Sequence, residues 1–409
     1  MALNIIWIAF FLIAFVVALV RLVVFGDTDI MKTIMDGVFD AAGTGVQISI
    51  GLIGIMSLFL GFMRVGEKAG AIGFLARIVQ PFLRKLFPGI PKNHPSLGHM
   101  VMNFSANMLG LDNAATPFGL KTMESLQELN ADKSTASNEQ IMFLALHASG
   151  LTLIPVSIIA QRAILKAHDP TNIFIPILIA TFASTLAALI IISIRQRINL
   201  FQRVILLWIG GICLLIALLI IYLNSHRQNI DVFSRVVSNG LILLIFVAFI
   251  LGGIRKKINI FETFIEGAKT GFDVAVKIIP YLVGMLVAVS VFRTCGVLDY
   301  IVNGISSLVS SLGINSDFVP ALPAALLRPL SASASRGMMI NIMTQYKPDS
   351  FQGILSCVFQ GSSDTTFYVV ALYFGAVNIK RTRYAVPVML LADLAGIITA
   401  IAITYFLFH

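Results

Sequence analysis

Charge is scarce in this chain. Only 12% of its 409 residues are charged, with 20 acidic against 29 basic. So thin a polar complement cannot coat a soluble globule. Together with 57% hydrophobic residues and a strongly positive mean hydropathy, it is the composition of a polytopic membrane protein. In a soluble protein the basic excess would suggest nucleic acid; here it falls in short loops between apolar runs and is a topology signal, so no nucleic-acid partner is expected. Cysteine is nearly absent: Cys213, Cys295 and Cys357 sit in or beside apolar segments, at no disulfide or metal spacing. Basic residues are missing before the apolar run from Ile5 to Val20, and no small-residue cleavage signature stands near Gly26. That run is expected to be a retained first span. No GxSxG, HExxH or Walker pattern occurs. His147 and Ser149 are the one nearby base and nucleophile, and two positions apart on a helix they point about 200° from each other. The expectation is no enzyme and no cofactor.

What is there is a series of apolar runs. Spans are expected at about 3–25, 43–63, 139–162, 173–194, 203–224, 236–254, 274–293, 351–377 and 384–407. Two stretches, about 97–130 and 318–347, are too polar or too proline-broken to cross simply and are expected as re-entrant hairpins. Segments 70–87 and 298–312 are amphipathic and belong at the membrane surface or against the bundle. Lys and Arg concentrate in the loops around 64–92, 195–203, 255–269 and 380–383. By the positive-inside rule those loops and the amino terminus face the cytoplasm.

The stretch from Asn103 to Lys121, NFSANMLGLDNAATPFGLK, places polar side chains inside this apolar chain. Gly110 is the expected C-terminal cap of an incoming half-helix, and Thr116 followed by Pro117 the expected start of an outgoing one. Asn103, Ser105, Asn107, Asp112, Asn113 and Thr116 form the first candidate tip. Arg328, Ser331, Ser333, Ser335, Arg336 and Asn341 form the second, with Pro320, Pro323 and Pro329 interrupting the helix and the outgoing half expected near Met338. An arginine at membrane depth is costly unless paired or hydrated, so pairing with Asp364 or Asp393 is expected. On flanking spans lie Ser149 and Thr152, and Ser362, Ser363, Asp364, Thr365 and Thr366; three- and four-residue spacing sets Ser149 with Thr152, and Ser362 with Thr365 and Thr366, on one helix face. The hydroxyls and amides are candidate substrate contacts. Asp364 and Asp393 are candidate holders of a coupling proton or sodium ion.

The chain also repeats itself. A shift of 230 residues sets Asp36-Gly37 on Glu266-Gly267, Gly54 on Gly284, Phe62 on Phe292 and Gly66 on Gly296. Later, Ser149 and Thr152 match Ser362 and Thr365, followed in each half by a final span with a polar residue, Thr181 or Asp393, inside it. Five expected crossings separate the copies, an odd number, so the copies would be inverted, a recurring plan of secondary transporters.

On the strings SANMLGLDNAATPFG (Ser105 to Gly119), EGAKTGFDVAVKIIPYLV, RPLSASAS and GSSDTTFYVVALYFG, residues about 1–200 resemble the spore maturation protein A family and about 201–409 the spore maturation protein B family. In spore formers these are separate proteins, so the chain looks like their natural fusion. Both resemble the nucleoside-recognition or gate domain superfamily, which implies membrane transport without fixing a nucleoside as ligand. The chain departs from the pattern at Ala332 and Ala334, where glycine is usual, and at Asp364, where glutamate is usual.

These observations combine into one expectation: an all-α bacterial inner-membrane protein of two inverted gate repeats, moving a small solute or amphiphile between two hairpin tips by alternating access. The positive ends of the outgoing half-helices and the two arginines favour an anionic group on the ligand. Expected partners are the lipid bilayer and a small-molecule or lipid-like substrate, and a homo-oligomer is compatible with the sequence. The alternative is a structural or lipid-handling protein supporting envelope or spore maturation.

Overall fold

A computed structural model describes residues 2–91, 94–110, 112–225 and 230–409, with side chains described outside 2–6, 112–114, 223–224 and 230–235. Among the described residues the protein is helical, with one isolated parallel bridge, between Thr135 and Arg381. The first half runs α1 (Ala2–Phe25), α2 (Ile30–Ala69), α3 (Ala71–Leu86), α4 (Pro95–Met108), α5 (Asp112–Leu129), α6 (Asn138–Ala148), α7 (Val156–Ile164) and α8 (Phe174–Gln196). It continues through α9 (Arg203–Ser225) and α10 (Ile230–Arg255) to α11 (Ile260–Thr294), α12 (Val297–Ser311), a 3₁₀ turn at Val319–Ala321, α13 (Leu322–Leu327), α14 (Ala332–Tyr346), α15 (Phe351–Gly361), α16 (Thr366–Ala376) and α17 (Ala385–Phe408).

Seven of the described helices are long and apolar enough to cross a membrane: α1, α2, α8, α9, α10, α11 and α17. The protein is an all-α polytopic membrane protein. Two expected spans, 139–162 and 351–377, are not continuous helices. The first is α6 and α7 around a break at 149–155, the second α15 and α16 around a break at 362–365. The cause is local. Ser, Thr and Asp side chains compete for backbone hydrogen bonds, Gly150 is free of side-chain constraint, and Pro155 disfavours helix in the residue before it. Ser149, Thr152, Ser362 and Thr365 therefore stand in or beside breaks rather than along one helix face. The expected spans at 43–63 and 274–293 are too short instead. At 40 and 35 residues and about 1.5 Å per residue, α2 and α11 extend well past the roughly 30 Å hydrocarbon core.

These two helices form the most extensive contact in the molecule, and glycine makes it. A Cβ on Gly271 would lie 2.6 Å from the Ser57 Cα, one on Gly267 2.4 Å from the Leu60 carbonyl, and one on Gly45 2.9 Å from Val283. Small residues let membrane helices approach backbone to backbone. Gly37 of α2 faces Ser290 and Thr294 near the far end of α11, so the pair runs antiparallel along its length.

Each long helix then turns at a glycine in the left-handed region, Gly70 at φ 93° and Gly296 at φ 92°, into an amphipathic helix, α3 or α12. In role, Gly70 thus corresponds to Gly296. Gly66, the sequence-based match, is buried against Phe249 instead. The same order follows in both halves: a helix pair (α4 and α5, or α13 and α14), a broken helix (α6 and α7, or α15 and α16) and a final long helix (α8 or α17).

Candidate functional site

Backbone breaks assemble the site. α4 ends where Gly110 takes φ 71°, the role expected of it. α5 begins at Asp112, so Pro117 lies inside it rather than opening it; near a helix start a proline removes only one early hydrogen bond. The two arms are tied by Asn103, fully buried, whose Nδ2 donates to the Ala115 carbonyl at 2.7 Å. Its Oδ1 then faces Nδ1 of His147 at 3.0 Å, so the hydrogen of that bond sits on Nδ1. Asn107 Nδ2 donates to the His147 carbonyl at 3.3 Å.

In the second half α13 is only six residues long, a consequence of the prolines at 320, 323 and 329. α14 starts at Ala332, capped by Ser331, whose Oγ accepts from Ala334 N at 3.2 Å. That is two turns earlier than the Met338 start expected from the sequence. Ser335 Oγ donates to the Ala324 carbonyl at 2.7 Å and closes the pair. Both broken helices bond back to the neighbouring tip: Leu153 N donates to Met108 O at 2.9 Å, and Phe367 N to Pro329 O at 3.1 Å. The breaks also meet each other, with Asp364 N donating to Ala148 O at 2.6 Å.

A cavity of about 300 Å³ opens where these pieces meet. The first half brings Asn107, Gly110, His147, Gly150, Thr152 and the first turn of α7 at Val156 to Ile158; the second brings Arg328, Ala332, Arg336, Gln360, Gly361, Ser363 and Asp364. Two guanidiniums thus share a wall with one carboxylate. Arg328 is held through Nε to the Ser363 carbonyl at 2.8 Å, through Nη2 to the same oxygen, and through Nη1 to Thr365 Oγ1 at 3.3 Å. Its nearest approach to Asp364 is 3.9 Å, so a backbone carbonyl, more than the expected carboxylate, holds this arginine. Asp364 Oδ1 accepts from Thr365 N at 2.6 Å.

Of the residues expected from sequence, Asn107, Thr152, Arg328, Arg336, Ser363 and Asp364 line this cavity. Ser331, Ser333 and Thr365 line a neighbouring cavity of about 490 Å³ that shares Ala332 and Arg336. Asn103 and Ser105 are buried behind the first tip. Ser149 and Ser362 turn inward, donating to Ala145 O at 2.8 Å and Phe359 O at 3.0 Å. Thr116 is on α5, outside the walls of both cavities. Asp393 lies one layer out on α17, buried, accepting from Thr366 Oγ1 at 2.7 Å. The side chains of Asp112 and Asn113 lie outside those described. Gln360 and Ser157 are wall residues that the sequence reading missed; Gln360 sits two residues before the break, a placement visible only once the break is seen.

Two further contacts join the halves at their loops. Arg162, 0% exposed, donates through Nη1 to Pro348 O at 2.6 Å and through Nη2 to Asp349 Oδ1 at 3.1 Å. That links the last turn of α7 to the loop before α15. Arg383 donates through Nη1 to Ala136 O at 3.0 Å, beside the bridge between Thr135 and Arg381. That links the loop after α16 to the loop before α6. Exchanging the halves converts one strap into the other.

A family model described as "Gate: Nucleoside recognition" matches this chain twice, over residues 49–166 and 275–380. Spore maturation protein B of Bacillus subtilis (strain 168) is 47% identical over 171 residues, covering 42% of this chain and 94% of that protein. Spore maturation protein A of the same strain is 38% identical over 188 residues, 46% of this chain and 92% of that protein. No solved structure matches.

Proposed function

Since the chain belongs to the nucleoside-recognition (gate) family, we propose that it is a membrane transport protein whose two gate segments form inverted repeats around the central cavity. The observation that carries this reading is the cavity itself, walled by breaks from both repeats. Irregular backbone at membrane depth is tolerated where it is buried in protein or lines a cavity, and broken helices meeting between repeats are the usual substrate site of secondary transporters. The antiparallel run of α2 along α11 supports inversion, because repeat-equivalent helices in parallel repeats would run in the same direction.

The solute carries an anionic group. Arg328 and Arg336 line the cavity together with the first turns of α7 and α14, whose amide ends are electropositive. Asp364, facing the same space, takes the coupling proton or sodium ion, with Asp393 behind it. Alternating access follows from the straps: opening one while the other stays bonded would expose the cavity to one side at a time. The protein is set in the bacterial inner membrane with its amino terminus in the cytoplasm, from the bias of basic loops. Purified protein in liposomes would then move a solute across the membrane, and Arg336→Gln would abolish the movement with normal expression. A non-transporting scaffold for envelope or spore maturation predicts no flux from either.

A further inference from the structure

Also beside the central cavity lies a third, smaller space of about 110 Å³, between α3, α4, α8 and α9. Its walls are apolar, with Phe82, Phe104, Phe182, Leu186 and Trp208 among them. The polar side chains there are turned away: Asn107 Nδ2 donates to His147 O and Thr185 Oγ1 to Ser149 O. Cavities of roughly this size lined by Leu, Ile and Phe stay dry and take up apolar ligands. Left empty, the walls forgo dispersion contacts that an occupant would restore.

Two observations tie this chamber to the central cavity. Asn107 and Gly150 stand in the walls of both spaces, so the two spaces adjoin there. Gly150 packs tightly against Asn107, where an added Cβ would lie 2.9 Å from Nδ2, so the Asn107 amide and a residue without a side chain form the shared wall. The outer wall comes from α9, at 203–225, which lies between the two gate matches and is fixed there in part by Phe82 against Trp208 at 5.7 Å. A helix outside both repeats thus closes an apolar pocket against the polar site of one of them.

Resting on the transport reading above, we propose that the ligand is an amphiphile, with an anionic head against Arg328 and Arg336 and an apolar chain in the chamber between α3, α4, α8 and α9. A polar and an apolar space side by side, sharing the wall at Asn107 and Gly150, match such a molecule, whereas a wholly polar solute would leave the chamber unused.

Trp208 supplies the readout. The chain has two tryptophans, and Trp7→Phe leaves Trp208 as the sole fluorophore, inside the chamber wall. Full-length protein in phosphatidylcholine nanodiscs is titrated with 12-bromododecyl phosphate, and inorganic phosphate binding is measured by calorimetry. We expect saturable quenching of Trp208, reversed by unbrominated dodecyl phosphate and weakened at least tenfold by Arg336→Gln at unchanged thermal unfolding, with Arg336→Lys intermediate. Filling the chamber with Leu186→Phe and Ile209→Phe should weaken dodecyl phosphate at least tenfold and leave inorganic phosphate unaffected. If quenching is unsaturable and indifferent to Arg336→Gln, or brominated phosphatidylcholine produces it equally, the chamber holds bulk lipid and the proposal is overturned. If inorganic phosphate binds in an Arg336-dependent way but dodecyl phosphate binds no tighter, the amphiphile proposal fails alone. If neither binds, the anion-site reading fails with it.

Discussion

The guanidinium of Arg162 donates to the carbonyl of Pro348 at 2.6 Å across 186 residues of sequence, and it does so with no solvent exposure at all. The same side chain reaches the Asp169 carbonyl, Asn172 Oδ1 and Asp349 Oδ1. A buried cation with this many acceptors cannot be removed cheaply, because those buried with it, the Asp169 carbonyl above all, are left desolvated and unpaired. Arg162→Met should therefore lower the stability of the purified protein by about 3–5 kcal/mol, read as a large drop in thermal unfolding temperature. The exposed Arg383→Met should cost under about 1 kcal/mol. Equal effects would mean that the two straps do not differ in burial as described.

The pairing of α2 with α11 depends on glycine. Gly271→Ala pushes a methyl into the backbone of Ser57 and should destabilise by about 1–3 kcal/mol, the range for overpacking. Gly54, which a Cβ would not crowd, is the control: Gly54→Ala should be neutral or stabilising by up to about 1 kcal/mol. Indifference to both changes would contradict the close backbone approach.

Inversion of the repeats makes equivalent loops face opposite sides. In a background free of Cys213, Cys295 and Cys357, cysteine at Asp132, before α6, should react with an impermeant thiol reagent only from the cytoplasm. Cysteine at Lys347, before α15, should react only from outside. Labelling of both from the same face would rule out inverted repeats.

A carboxylate that carries a coupling ion has a separable kinetic signature. Asp364→Asn keeps the shape and removes the charge, so it should lose gradient-driven accumulation of the solute in proteoliposomes yet retain counter-exchange, which requires no net ion movement. Loss of both activities together would assign Asp364 to substrate contact or packing instead.

Hydropathy was enough to read the helical membrane character and the long spans, because burial in lipid demands continuous apolar runs. Gly110 was legible for a local reason, since it follows a helix whose end needs a left-handed residue. The breaks at 149–155 and 362–365 were not legible, because their flanks are as apolar as any span and window averages run straight across them. Their hydroxyls were picked out for spacing on a helix that is not continuous there. Helix pairs stand where the two tips were expected, but which of their side chains face the cavity depends on contacts between segments distant in sequence: Asn103 is turned to Ala115 and His147, while Asn107, four residues on, reaches the wall. Gln360 carried no signal at all without the break beside it.

Alternating access through the central cavity is the core of the account, and accessibility of one wall residue tests it. Ser157→Cys, in the cysteine-free background, should react with an impermeant thiol reagent from either side of the membrane. A thiol crosslink between Thr135→Cys and Arg381→Cys, pinning one strap, should abolish labelling from the cytoplasmic side and preserve or increase it from the other. Labelling from one side only, or labelling unchanged by the crosslink, would contradict alternating access.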